Sequence, residues 1–167
     1  MNNPPPLLLS NYFVEKLEFE ALPKFNPALP DAGILTVDPD VFKVPNQPYD
    51  YMVRLRVGLS APPGSNARCR LNFSLIGFFH VDEKAPEKIR NEMVYGNAPL
   101  ILFGIARQLA AEMTANGPYG KVILGTVNFT EIFRRKAAEA APKAAGSDEF
   151  KVSDKPAASR RRPRVKA

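Results

Sequence analysis

Residues 49–60 read YDYMVRLRVGLS. One set of alternate positions is Tyr49, Tyr51, Val53, Leu55, Val57 and Leu59; the other is Asp50, Met52, Arg54, Arg56, Gly58 and Ser60. A strand sends successive side chains to opposite faces, so this period-two alternation predicts a sheet with one buried face. APPGSN (61–66) follows and marks a turn. The chain then returns from Ala67 to Val81, with Cys69, Leu71, Phe73 and Leu75 on one face and Arg68, Arg70, Asn72 and Ser74 on the other. The run Leu75-Ile76-Gly77-Phe78-Phe79 is apolar on both faces, so both need a cover. The domain's own helices supply one; another subunit or a client chain is the expected second.

Toward the N-terminus, Tyr12 to Glu20 (YFVEKLEFE) mixes aromatic and β-branched residues with charges and suits an edge strand. The ten residues at the start are expected to be irregular. Ala21 to Asp31 holds Pro23, Pro27 and Pro30, which forbid a ladder strand or a helix and predict a long extended crossover. Gly33 to Phe42 can supply a strand, limited by Pro39, and Pro45 to Pro48 a turn. Toward the C-terminus, a short helix is predicted over Ala85 to Val94, ending at Gly96. The main helix follows over Asn97 to Ala115, capped by Asn97, with Pro99 in its first turn and Leu102, Ile105, Ala106, Leu109 and Met113 as its apolar stripe. Gly104 inside it costs about 1 kcal/mol relative to Ala and predicts close packing there. Asn116-Gly117-Pro118 stops it. Asn128 and Glu131 form an N-x-x-E capping box for a last helix to about Ala141, with Ile132, Phe133, Ala137 and Ala140 on its buried side. Strands followed by helices predict an α+β fold, with a four-stranded antiparallel sheet and helices packed on one side.

The chain has 167 residues, 45% hydrophobic and 24% charged, the balance of a globular domain. At this length roughly 70% of the unfolded surface can be buried, so no disulfide or metal is needed to hold a core. A single cysteine, Cys69, excludes an internal disulfide and a Cys-only zinc site, and no metal or cofactor is expected. No apolar run approaches the roughly 20 residues of a membrane helix, and MNNPPPLLLS lacks the basic n-region of a signal peptide. Membrane insertion is not expected, and an intracellular, reduced setting is. Residues 143–167 hold eight Lys/Arg and three acids, a net of +5 out of the chain's +6. The body, residues 1–142, is therefore near neutral. The tail lacks apolar periodicity and is expected to be disordered in isolation. Its Arg160, Arg161, Arg162 and Arg164 make either a solubilising end or an electrostatic arm for nucleic acid, anionic lipid or an acidic partner.

No constellation for catalysis is present: no G-x-S-x-G, no Gly-rich phosphate loop, no H-E-x-x-H. His80 is the one histidine and reads as structural or partly exposed, not as a base. Cys69 lies between Arg68 and Arg70, which could activate a thiol, but strand neighbours point to the opposite face. It reads as a buried, inert thiol. An RNA-binding sheet would place aromatics and basic residues on one face; here Arg54, Arg56, Arg68 and Arg70 lie mainly opposite the aromatics. Nucleic acid is left to the tail alone.

Four segments in this order resemble the SecB protein-export chaperone family. They are Leu17-Glu18-Phe19-Glu20-Ala21 before the Pro-rich crossover, Tyr51 to Ser60, Gly77-Phe78-Phe79, and Ala98 to Phe133. The last carries Pro99, Ile101-Leu102-Phe103, Ala106-Arg107, Asn116-Gly117, Leu124 and Val127-Asn128-Phe129 at the family's spacing. The resemblance covers about residues 10–140. It implies a cytoplasmic, ATP-independent holdase for unfolded polypeptides or preproteins, a homotetramer built as a dimer of dimers, and no enzyme. It places a polypeptide-binding groove at Phe25 and Pro27 of the crossover, Leu35 and Val37 of the second strand, and Phe129, Ile132 and Phe133 of the last helix. It ties the face Cys69, Leu71, Phe73, Leu75 to assembly and client contact. The family's acidic members engage the motor SecA through a charged face and their C-terminal tail; the near-neutral body and the +5 tail depart from that pattern and argue against the same docking. Gly125-Thr126 also stands where the family commonly has a proline. A SecB-like chaperone of a toxin–antitoxin system is the alternative within the family, and an interaction protein working through the basic tail the alternative outside it.

Overall fold

The computed structural model describes residues 6–140. Strands β1 (Leu7–Ala21), β2 (Ile34–Lys43), β3 (Asp50–Ser60) and β4 (Cys69–Val81) precede helices α1 (Glu87–Glu92), α2 (Ala98–Ala115) and α3 (Phe129–Ala140). Neighbouring strands are all antiparallel, in the order β1-β4-β3-β2. Strands β2, β3 and β4 follow one another as a meander. The crossover after β1 therefore has to pass both central strands to start β2 at the far edge, which is why a proline-rich extended segment stands there.

The alternation in β3 and β4 sets the core. Val53, Leu55 and Val57 lie beside Phe73 and Leu75, all essentially inaccessible, with α2 across them. A Cβ added at Gly77 would stand 2.8 Å from Leu102 Cδ2 of α2 and 2.9 Å from Phe79, so close approach of helix to strand requires glycine there. The turn between β3 and β4 has Gly64 at φ 73°, the left-handed region that suits glycine.

Four expectations are corrected. β1 begins at Leu7, not after the first ten residues: Leu7 and Leu9 pair with Val81 and Phe79 and pack on the core, so tertiary pairing overrides the irregular Pro-rich start. Gly96 does not end a helix. α1 runs through a π-helical turn (Met93–Asn97) straight into α2, and Asn97 has helical dihedrals and makes no side-chain cap. The buried face of α2 is rotated from the stripe read in the sequence: Ala98, Leu102, Ala106, Ala110 and Thr114 face the sheet with Phe103, while Ile105, Leu109 and Met113 are only half-buried. The small residues of that row let the helix lie close to the strands. A Cβ at Gly104 would meet nothing within 4 Å, so no close packing within this chain explains it. The last helix starts as the cap predicts, with Asn128 Oδ1 accepting from the Glu131 N–H at 3.2 Å. The Glu131 carboxylate turns to Arg134 instead of back to the cap.

The outer face of the sheet has no helix over it among the described residues. One end is a ladder of ion pairs: Arg70–Glu20, Arg54–Glu15, and Arg56 with Asp38 and Asp40. At the other end Phe13 packs on Phe78, centroids 6.3 Å apart, and helps cover the outer side of the doubly apolar run in β4.

Candidate polypeptide-binding groove

The crossover is pinned by one side chain. Asn66, at the end of the β3–β4 turn, donates from Nδ2 to the carbonyls of Asn26, Leu29 and Pro30 at 3.0, 3.2 and 3.0 Å. Its Oδ1 accepts from the Asn26 N–H at 2.7 Å. Arg68 pairs with Asp31, and the backbone N–H groups of Leu22 and Ala32 donate to Arg68 and Asn66 carbonyls at 3.0 Å. Such bonds fix a segment that has no ladder of its own. Phe25 is held edge-on to Tyr119, centroids 4.9 Å apart, with the Arg68 guanidinium 5.8 Å above its ring.

Leu35 and Val37 project from the core face of β2, paired with Leu59 and Val57, and are half-buried against the main core. Ile132 joins the same cluster, and Phe129 sits inside it at 4% exposure, 5.8 Å from the Phe103 ring. Phe133 is turned away from that cluster, edge-on to Tyr95 of the π turn at 5.1 Å. Apart from Pro27 of the crossover, the groove residues thus fall into three places. Leu35, Val37, Phe129 and Ile132 belong to the main core cluster, Phe25 stands with Tyr119, and Phe133 stands with Tyr95. Ala137, placed on the buried side by the sequence, is exposed.

The face Cys69, Leu71, Phe73, Leu75 is corrected. At 2%, 3%, 0% and 0% exposure these side chains form the chain's own core and have no surface to offer a subunit or a client. α2 covers them, and a strand's apolar face does not say what lies over it. Burial pushes the Cys69 thiol up, with the Asp31 carboxylate adding to that, so it is a buried thiol without activation. Apolar surface is exposed elsewhere. On β1, Tyr12, Val14 and Leu17 pair with Gly77, Leu75 and Phe73 and so share the helix-covered face, yet each is at least 40% exposed. On α2, Ile101 is exposed and Ile105, Leu109 and Met113 are half-buried along the flank turned away from Phe103. Arg160, Arg161, Arg162 and Arg164 lie outside the described residues.

Two side chains that matter here are not singled out by the sequence. Asn66 belonged to a turn signal, and its reach to the crossover forty residues away leaves no local mark. Lys136 of α3 donates from Nζ to the Pro39 carbonyl at 2.6 Å and to Asp40 at 3.1 Å, and pairs with Asp38. Burial alone would raise the Asp38 carboxyl, but hydrogen bonds from Lys136 and Arg56 outweigh it and hold the group below its usual value. Burial would lower the Lys136 ammonium; Asp38 and Asp40 outweigh it and raise it.

The model of the family described as preprotein translocase subunit SecB matches residues 2–140. The chain belongs to the SecB family. Protein-export protein SecB of Hyphomonas neptunium is 28% identical over 152 residues, covering 83% of this chain and 85% of that one. Protein-export protein SecB of Rhodospirillum centenum is 25% identical over 133 residues, covering 78% and 79%. The Mycobacterium tuberculosis Rv1957 SecB-like chaperone, solved with a ChAD peptide from the Rv1956 HigA1 antitoxin, shares the fold with a TM-score of 0.59. It is 13% identical, and the match covers 74% of this chain and 91% of that one. A chaperone role in protein export follows from membership in the SecB family, which binds unfolded client polypeptides and is not an enzyme family. Among the described residues no helix is long and apolar enough to cross a membrane.

Proposed function

We propose that this SecB-family chain is an ATP-independent holdase that takes apolar side chains of unfolded polypeptides between β2 and α3. The half-buried Leu35 and Val37 on the edge strand β2, with Ile132 on α3, carry the reading. Burying a client's Leu or Phe there stabilises the complex by roughly 1.5–3 kcal/mol. One such contact is weak, so useful affinity needs several grooves acting on one long client. A homotetramer, a dimer of dimers, supplies them. Its interfaces are proposed at the open edge of β1, with Tyr12, Val14 and Leu17, and along the Ile101–Met113 flank of α2, in place of the buried Cys69 face. The reading places the protein in the cytoplasm, where a preprotein is met before export. Arg54, Arg56 and Arg70 already pair with the acids of the outer sheet face, and this supports a docking mode other than attraction of SecA to an acidic face. The tail arginines are proposed as a separate electrostatic contact, with binding that falls with salt and vanishes on truncation after Pro142.

The test is a Leu35→Asp, Val37→Asp variant. It is expected to fold, keep its assembly and lose affinity for a reduced, permanently unfolded polypeptide. Unchanged affinity would remove the groove from these residues. Dedicated service to one antitoxin would instead show as a client range of a single sequence.

A further inference from the structure

In the structure this groove is shut. Leu35, Val37 and Ile132 pack on the core and Phe129 is buried within it, so a client side chain can enter only if one wall moves. The two walls are held very differently. The crossover is tied by the four bonds of Asn66, by the Arg68–Asp31 pair and by two backbone bonds. Beyond its apolar first turn, α3 is tied to the sheet by the ammonium of Lys136, on the Pro39 carbonyl, Asp40 and Asp38. Its other charged side chains do not reach the sheet: Arg134 pairs with Glu131 and Arg135 with Glu139, both on α3 itself. The segment that leads into α3 has no ladder or helix of its own, and Gly125 there is exposed with nothing near its Cβ position.

The acids that Lys136 holds have a second partner. The Arg56 guanidinium donates to both Asp38 and Asp40. When Lys136 lets go, neither carboxylate is left uncompensated and the ammonium moves into water from a half-exposed position. Release is therefore cheap, which a reversible closure requires. We propose that Lys136 is a positioning residue of client capture: its ammonium clips α3 to the β2 edge and holds the groove shut, and its release lets α3 turn about Phe129 to admit a client side chain between Ile132 and Leu35 and Val37. The proposal rests on the holdase reading of this groove.

The experiment measures association of the full-length protein with a reduced, carboxymethylated polypeptide at low and high salt. Lys136→Met keeps the length of the side chain and removes its charge. It should bind about two- to five-fold faster at low salt, the size expected of a half-exposed ion pair. The excess over wild type should shrink as salt screens the wild-type clip. Lys136→Arg should restore the wild-type rate, and Asp40→Asn should act in the direction of Lys136→Met. Equal or slower association by both Lys136→Met and Asp40→Asn, at every salt concentration, would overturn the clip while leaving the groove in place, provided the Leu35→Asp, Val37→Asp variant has lost the client. Wild-type binding by that last variant would overturn the groove, and the clip with it.

Discussion

The two edges of this sheet are built to opposite ends. β2 is ten residues long, carries Pro39 in its middle, and has Lys136 seated on the Pro39 carbonyl. Proline removes a donor and a lysine occupies an acceptor, two of the devices by which an edge is kept from pairing with another chain. β1 is fifteen residues long and contains no proline. Leu8, Tyr12, Phe13, Val14 and Leu17 on it are 40–50% exposed, and two register shifts are its only irregularities. An edge left long and apolar would be an aggregation hazard unless a defined partner takes it. The contrast teaches that closure is local: the edge proposed to face clients is blunted, and the one proposed to face another copy is not.

The contrast can be broken most severely on β1. Replacing Tyr12 and Leu17 by lysine should split the proposed tetramer at β1 and leave the α2 interface, lowering the light-scattering mass from about four chains to about two while each chain stays folded. Opening the other edge comes next. Pro39→Val with Lys136→Ala restores a donor and frees the acceptor, so growth of large scatterers on mild heating is expected, with wild type clear under the same conditions. A smaller effect is expected at the crossover. Asn66→Ala unties three carbonyls and an N–H of an exposed segment, and a loss of about 1–3 kcal/mol should show as a shifted denaturation midpoint.

The smallest effect is that of pH on the clip. Asp38 titrates below its reference of 3.8 in the folded chain, so its contribution is complete above that value and is lost as pH falls through the folded one. Lys136 titrates above its reference of 10.5, so its contribution is complete below that value and is lost as pH rises through the folded one. The difference in melting temperature between wild type and Lys136→Met should therefore be flat across neutral pH and narrow at both extremes.

The strands were legible because alternation reports which face is apolar. Val53, Leu55 and Val57 opposite Arg54 and Arg56 leave one choice of buried side, and the Asn128 cap is a local device that local sequence reveals. Alternation does not report what covers a face: the resemblance ties Cys69, Leu71, Phe73 and Leu75 to assembly and client contact, and α2 lies on them. The rotation of α2 escaped for a related reason: periodicity favours the large residues Ile105, Leu109 and Met113, while packing distance is set by the small ones, Ala98, Ala106 and Ala110. At the proposed groove, the apolar strand and helix positions come from the family resemblance and not from periodicity. The ties that hold its two walls, from Asn66 to residues 26–30 and from Lys136 to residues 38–40, join segments far apart in the chain and have no signature in either.

Amide hydrogen exchange on the full-length protein, alone and with a reduced, unfolded polypeptide, tests the division between the edges most directly. The account predicts that the outward-facing amides of β1 are protected before any client is added and unchanged by it, while β2 and α3 change exchange when the client binds. Unprotected β1 amides in the free protein, or client effects confined to the outer sheet face, would contradict it.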